Sequence, residues 1–253
     1  MNYYDMNPLE HGVNFSFLKM GLQKSWKHAY EAYVLGLQSA PTPAMQKGTL
    51  IHCLALEPLS FNDRYIVAPE INRRTKAGKQ EWQELIASAG NRIVIPEDDY
   101  LEAVDCQMKL SEHPWFSRVM HREDTTTEDE LYGTMGETKV RGKVDILTND
   151  FIVDLKTTSD ASPIGFQRSV RRFMYDAQLA FYADLAGVQD AYIVAIETNG
   201  THQIAVYQLS RETLENGRRQ YQEGLELFRS CLSLYPTLGS PAFTSYQLEP
   251  VVI

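Results

Sequence analysis

The sequence predicts an α/β fold with a central mixed β-sheet flanked by helices. Five segments have the apolar patterning of strands, and a helical segment that ends near Gly187 separates the first three from the last two. The second and third strands meet at Thr148-Asn149-Asp150, a turn-forming cluster. Three strands, a helix and further strands indicate a mixed sheet with helices packed on it. The five segments are residues 130–135, 137–149, 150–158, 191–197 and 202–209.

Most of the remaining chain is expected to be helical. Residues 16–36 carry apolar and aromatic side chains at helical spacing, which predicts one helix that stops near Gly36. Residues 210–235 predict a long amphipathic helix, and residues 241–253 predict a tail that wraps the domain. The other predicted elements are a helix at 47–58, a strand at 64–69, a polar loop at 69–79, a helix around 81–89, a strand at 91–95 and a helix from Asp98 to about His113.

Length and composition predict one domain over residues 1–253, with an N-terminal helical region at about 1–60. The chain is 43% hydrophobic, which suffices for one sizeable core. Its three cysteines are far apart and have no CxxC spacing, which argues against a disulfide framework or a structural zinc site. The sequence shows no long apolar run and no secretory pattern at its start, so a cytoplasmic protein without a membrane segment is expected.

The formal charge of −9 argues against a protein that coats nucleic acid generally, because clustered Lys and Arg supply phosphate affinity. A focused basic groove is still compatible with that charge. Either of two basic segments could form it, or each could be a solvated loop or helix face. Their basic residues are Arg73, Arg74, Lys76 and Lys79 in the first segment and Arg168, Arg171 and Arg172 in the second.

Two charged residues on one strand face indicate a metal site. Asp154 and Lys156 lie two apart in the strand-like segment 150–158, so both side chains point to one face, and the preceding strand can bring Asp145 alongside. Two converging carboxylates favour a cation such as Mg²⁺ or Mn²⁺ between them, and a lysine there can orient water or neutralise phosphate charge. The alternative is a buried Asp-Lys ion pair, since D-x-K alone is a common pattern.

The wider pattern resembles the PD-(D/E)xK nuclease superfamily. Asp145 is followed, after eight residues, by Asp154-Leu155-Lys156, and Gln178 and Tyr182 form a later QxxxY motif. Together with His52 upstream, this order is similar to the branch that includes the RecBCD and AddAB nuclease domains. Residues 48–58, 64–79 and 153–160 resemble the RecE family, the exonuclease VIII nuclease domain, most closely. The chain departs at Lys143-Val144-Asp145, where family members commonly have Arg-Pro-Asp, and at Ser25-Trp26, where they usually have Ser-Pro.

The resemblance implies roles for individual residues. The implied catalytic residues are Lys156, Asp145 and Asp154, and the implied metal ligands are His52, Asp145, Asp154 and the backbone carbonyl of Leu155. The implied DNA-binding residues are Gln178, Tyr182, Arg73, Arg74 and Lys79. Glu130 is a further acidic candidate, with a solvated strand charge as its alternative.

The resemblance also implies an activity. A Mg²⁺-dependent exonuclease, with Mn²⁺ as an alternative ion, would degrade linear double-stranded DNA from 5′ ends and leave 3′ overhangs for recombination. A toroidal homo-oligomer, a tetramer, and a single-strand annealing partner of RecT type are expected, as in a phage or prophage system. The sequence has no GxxxxGK[ST] motif. The alternatives are a structure- or site-specific endonuclease of the same superfamily and an inert DNA-binding module.

Overall fold

The computed structural model describes residues 6–69, 71–72 and 74–244. The helices are α1 (Pro8–His11), α2 (Phe15–Gln23), α3 (Trp26–Tyr33), α4 (Pro43–Leu56), α5 (Phe61–Arg64), α6 (Lys76–Ala89), α7 (Glu97–Glu112), α8 (Pro114–Met120), α9 (Pro163–Phe173), α10 (Tyr175–Ala186) and α11 (Arg211–Leu238). The strands are β1 (Tyr65–Ala68), β2 (Ile93–Pro96), β3 (Thr126–Met135), β4 (Thr138–Leu147), β5 (Phe151–Thr158), β6 (Asp190–Glu197) and β7 (Ile204–Gln208).

The predicted mixed sheet is confirmed. Its five strands lie in the order β3-β4-β5-β6-β7, and only β5 and β6 pair in parallel, because α10 crosses over between them. The other three neighbouring pairs are antiparallel and are joined by short connections. Strands β1 and β2 form a separate parallel pair. Strand β5 therefore lies in the centre of the large sheet.

Strands β4 and β5 pair over only a short stretch. Their paired residues are Ile146 with Val153 and Leu147 with Ile152. Further along β4, Val13 occupies the free edge, where its amide donates to the Lys139 carbonyl and its carbonyl accepts from the Arg141 amide. The short pairing leaves the Asp145 and Asp154 stretch open to side chains.

Two hydrophobic clusters cover the two faces of the sheet. Ile152 packs in a cluster with residues of α2, α3, α10 and α11, whereas Val153 packs in a cluster with residues of α4, α7 and α8. Successive strand residues point to opposite faces, so the sheet lies between two helical layers. The site described below is built on the strands between these layers.

The single helix predicted over residues 16–36 is wrong, because the chain forms two helices there. Lys24 has non-helical backbone angles, and the Ser25 hydroxyl accepts from the His28 amide at the start of α3. The break lets Trp26 fold back against Gly21, where a Cβ atom would lie 2.6 Å from the indole ring. The N-cap signal at Ser25 and this contact outweigh the continuous apolar spacing.

The other predicted elements occur, with shifted boundaries. The loop predicted at 69–79 ends early, because Thr75 caps α6 by accepting from the Gly78 amide. The prediction contained neither α8 nor α9, which both begin with proline. Of the predicted wrapping tail, Phe243 is buried, and residues 245–253 lie outside the described residues. Within the described chain, no helix has the length and apolar character needed to cross a membrane.

Close contact between α10 and α11 depends on Gly217. A Cβ atom at this position would overlap the Asp176 backbone carbonyl, so Gly217→Ala should destabilise the protein by about 1–3 kcal/mol through overpacking. Denaturant unfolding measures this change. Gly224→Ala in the same helix is the control, because the nearest neighbour of its Cβ atom would be the flexible Leu22 side chain, at 3.1 Å, and not backbone. Equal losses in the two variants would contradict the close backbone contact.

Candidate metal centre

The candidate centre forms where β4 and β5 separate. There the Asp145 side chain hydrogen-bonds the neighbouring strand: its Oδ2 atom accepts a hydrogen bond of 2.7 Å from the Leu155 backbone amide. Across a strand pair this amide would otherwise bond a backbone carbonyl. The Asp145 carboxylate thus links the two strands and is held at a fixed position beside β5.

Helix α4 and strand β3 add two side chains to Asp145. The His52 Nδ1 atom lies 3.6 Å from Asp145 Oδ2, and the Leu155 backbone carbonyl favours the protonated imidazole. Glu128 lies opposite Asp145 in the β3–β4 register, between the pairs Thr127–Ile146 and Asp129–Val144. One potential ligand atom from each of His52, Glu128 and Asp145 lies within 4.8 Å of the others.

Asp154 lies beside this set and is paired with the lysine of the D-x-K motif. Lys156 Nζ lies 2.5 Å from Asp154 Oδ2, so the two side chains form a close, buried ion pair. Lys156 also lies over the Tyr175 ring, with 4.9 Å between Nζ and the ring centroid. Asp154 and Lys156 share one face of β5, as predicted from their spacing.

Burial changes the proton affinity of every group in the centre. It raises the pKa of Asp145 and Glu128, and it raises the pKa of Asp154 to about 6. It lowers the pKa of His52, and the Lys156 ammonium lowers that pKa further. Burial alone would lower the pKa of Lys156, but the carboxylates of Asp154 and Asp145 raise it above its usual value. Lys156 is therefore an ammonium at neutral pH.

These donors fit a divalent cation that prefers oxygen ligands. Carboxylates, a backbone carbonyl and water are the ligands that Mg²⁺ and Mn²⁺ favour, and one imidazole is compatible with Mn²⁺ in particular. Neighbouring carboxylates with raised pKa values repel one another, and a cation would relieve that repulsion. Asp154, paired with Lys156, is a further carboxylate beside the set.

The structure places the two QxxxY residues together, behind the centre. Gln178 and Tyr182 lie on one face of α10, and the Gln178 amide donates to the Tyr182 hydroxyl across 3.5 Å. The Tyr182 ring is buried against Gly142 of β4, where a Cβ atom would lie 3.0 Å from the ring. This packing braces β4 three residues before Asp145.

The basic loop and Glu130 lie on the surface. Arg74 and Lys79 are exposed around the start of α6, and Arg73 lies outside the described residues. Glu130 is exposed and accepts a hydrogen bond of 2.8 Å from the Tyr132 hydroxyl. The acidic side chain that β3 contributes to the centre is Glu128.

Sequence reasoning missed Glu128 because the strand was predicted to begin only at residue 130, whereas it begins at Thr126. The backbone of Glu128 has φ +58°, a left-handed conformation that breaks the alternation and accompanies the inward position of its side chain. Lys143 Nζ lies 2.5 Å from Glu128 Oε2. The β3–β4 pairing register could have identified Glu128, because it places Glu128 opposite Asp145.

A family profile described as a PDDEXK-like domain of unknown function (DUF3799) matches residues 15–235. The chain belongs to this family. A comparison with curated proteins gives no match. The PDDEXK-like assignment agrees with the mixed sheet, with the D-x-K residues on β5 and with Asp145 beside them.

Solved structures support the same fold. A protein from Eubacterium rectale described as a "putative exonuclease" matches with a TM-score of 0.63 and 13% identity, over 98% of this chain and 91% of that chain. A phage-related exonuclease from Haemophilus somnus matches weakly, with a TM-score of 0.35 and 13% identity, over 63% of this chain and 84% of that chain. The first similarity shows that this PDDEXK-like protein shares its overall fold.

Metal binding should stabilise the PDDEXK-like domain. A bound ion at a concentration of 100 times its Kd raises the free energy of unfolding by about 2.7 kcal/mol, which thermal unfolding with and without Mn²⁺ measures. Asp145→Asn and Glu128→Gln should lose most of this increase. Glu130→Gln is the matched control on the same strand and should retain it. An equal loss in Glu130→Gln would contradict the assignment of Glu128.

Proposed function

We propose that this chain is a divalent-metal-dependent deoxyribonuclease that hydrolyses phosphodiester bonds. The observation that carries the proposal is the convergence of His52, Asp145, Asp154 and Lys156 where β4 and β5 separate. A buried group of carboxylates next to a charged lysine suits a substrate that is anionic and a reaction that develops further negative charge.

In this proposal, one set of residues binds the metal ion and Lys156 contacts the substrate. His52, Glu128 and Asp145 would hold the ion, with Asp154 and the Leu155 carbonyl beside them. The bound ion supplies a Lewis acid that polarises the phosphodiester and orients water. Lys156, charged and fixed between Asp154 and the Tyr175 ring, would donate hydrogen bonds to a phosphate oxygen or to the attacking water.

The finer activity rests on the resemblance to the RecE family. We propose that the enzyme uses Mg²⁺, with Mn²⁺ as a substitute, and digests linear double-stranded DNA from 5′ ends to leave 3′ overhangs. The same resemblance supports a toroidal homotetramer that encloses DNA and a RecT-type annealing partner. Gln178, Tyr182, Arg73, Arg74 and Lys79 remain proposed DNA contacts, and the exposure of Arg74 and Lys79 leaves both available to a phosphate backbone.

An end-dependent enzyme should degrade linear duplex and spare closed circles. The chain has no phosphate-binding loop of an ATP motor, so a ring formed by it could load only at a DNA end. The measurement is loss of supercoiled and linearised forms of one plasmid in Mg²⁺, followed on a gel, with EDTA as the control. Comparable loss of both forms would instead support the endonuclease alternative. Absence of cleavage with every divalent ion would support the inert DNA-binding module.

Removal of the lysine side chain tests the proposed chemistry. Lys156→Ala should slow single-turnover cleavage of a short labelled duplex by roughly 10²- to 10⁴-fold at saturating Mg²⁺, the range for one acid-base or electrostatic group. Metal-induced stabilisation should persist, because the proposed ligands are unchanged.

Lys143→Ala is the matched control for this experiment. Lys143 is paired with Glu128 at 2.5 Å, as Lys156 is paired with Asp154, and its side chain is similarly buried. Its loss removes a charge from the same centre without removing the D-x-K lysine, so cleavage should slow far less. If the two variants slow cleavage equally, general charge balance explains the effect and Lys156 has no special role.

A further inference from the structure

Two cations beside the centre share one aromatic ring. Lys19 Nζ of α2 lies 5.7 Å from the Phe173 ring centroid, and Arg172 Cζ lies 5.3 Å from it. Lys19 is partly buried, whereas Arg172 and the Phe173 ring reach the surface. Across the described ranges 6–69, 71–72 and 74–244, no carboxylate forms an ion pair with Lys19 or Arg172.

The ring connects these cations to the proposed catalytic lysine. Phe173 and Tyr175 stack with 5.6 Å between ring centroids, and Tyr175 carries the Lys156 ammonium on its face at 4.9 Å. In order, the contacts run from Lys19 to Phe173, Tyr175, Lys156 and finally Asp154. The pair of free cations therefore adjoins the position at which a scissile phosphate would meet Lys156.

The backbone holds this arrangement in an unusual conformation. Residues two apart in a continuous helix do not face each other, yet Phe173 and Tyr175 stack. Met174 between them is left-handed, with φ +55°, and it ends α9 and begins α10. Gln23 fixes α2 to this junction, because its amide donates to the Arg172 carbonyl at 2.8 Å. A non-glycine residue in this conformation costs free energy and often marks a functional site.

The charges also require an anionic partner. Burial lowers the pKa of Lys19, and the nearby Lys156 ammonium lowers it further. A partly buried lysine near a second ammonium, with Asp154 as a more distant carboxylate and no ion-pair partner among the described residues, gains stability when an anion binds there. The chain's formal charge of −9 makes such unpaired cations more notable, since acidic partners are plentiful on its surface.

We propose that Lys19, Arg172 and the Phe173 ring form a phosphate clamp for the DNA strand next to the scissile bond. This inference rests on the proposed nuclease function and adds the residues that position its substrate. Phe173 acts as a positioning residue, because it holds the two cations by cation–π contact, while Lys19 and Arg172 bind phosphate oxygens.

The test measures binding separately from cleavage. A fluorescent short duplex is titrated with protein in Ca²⁺ without Mg²⁺, at several salt concentrations, and single-turnover cleavage is measured in Mg²⁺. Lys19→Met keeps the apolar stem against the ring and removes the charge, and Arg172→Gln removes the other charge. Each should weaken DNA binding about tenfold. Each should also reduce the magnitude of the slope of log K for association against log salt by about one. The rate constant at saturating protein should change much less than Kd.

Two further variants separate the clamp from packing and from net charge. Phe173→Leu keeps both cations, so it should weaken binding about threefold and leave the salt slope unchanged. Lys109→Ala removes one charge from α7, in the helical layer on the opposite face of the sheet, where Lys109 pairs with Glu112, and it should bind like the wild type. Thermal unfolding of each variant verifies that the fold is intact.

The outcomes distinguish the clamp from the nuclease function. Wild-type Kd and salt slope in both Lys19→Met and Arg172→Gln, in a protein that cleaves DNA, would overturn the clamp and leave the function standing. A wild type that binds the duplex but cleaves nothing would overturn the function, and the same Kd ratios would still decide the clamp. A wild type with no duplex binding would overturn both.

Discussion

The cost of burying negative charge beside β5 governs this structure. Asp145, Asp154 and Glu128 lie within one small, largely buried region, and the Asp145 charge raises the pKa of both Glu128 and Asp154. Lys156 and Lys143 each neutralise one of them at 2.5 Å. Asp145 has no lysine or arginine ion pair among the described residues, and its close polar neighbours are the Leu155 amide and the His52 ring. The centre is thus short of positive charge, which is the condition under which a divalent ion binds most favourably.

The fold accommodates the buried carboxylates because strands β4 and β5 separate at one point. Antiparallel pairing between β4 and β5 ends after two residue pairs, and the Asp145 side chain then takes the position of a backbone acceptor for Leu155. Parallel pairing of β5 with β6 continues through Lys156, so the D-x-K strand stays fixed on its other side. Helix α4 lies against the open region and supplies His52. Where the β4–β5 hydrogen-bond ladder is interrupted, the Asp145 carboxylate therefore satisfies the Leu155 amide.

Local patterns predicted those parts of the molecule in which the backbone is regular. Alternation along β5 correctly placed Asp154 and Lys156 on one face, because a regular strand has a period of two. It did not reach Glu128, because the predicted strand began at residue 130 and Glu128 has a left-handed backbone. Helical spacing failed at Ser25, since apolar periodicity continues through a break that the Ser25 N-cap and the packing of Trp26 on Gly21 select. Backbone conformation and side-chain packing decided these positions, and residue spacing alone predicts neither.

The proposed catalytic lysine and the proposed phosphate-binding lysine lie in adjacent but different environments. Lys156 is held by a carboxylate on one side and an aromatic ring on the other, so its position is fixed before any substrate arrives. Lys19 has the Phe173 ring as its cation-binding neighbour, and at longer range it is repelled by Lys156 and attracted by Asp154. A phosphate between the two lysines would reduce that repulsion, whereas a chain of formal charge −9 repels DNA elsewhere. In the proposed enzyme, attraction would therefore be concentrated at the centre, where a bound strand would be closest to the carboxylates proposed to hold the ion.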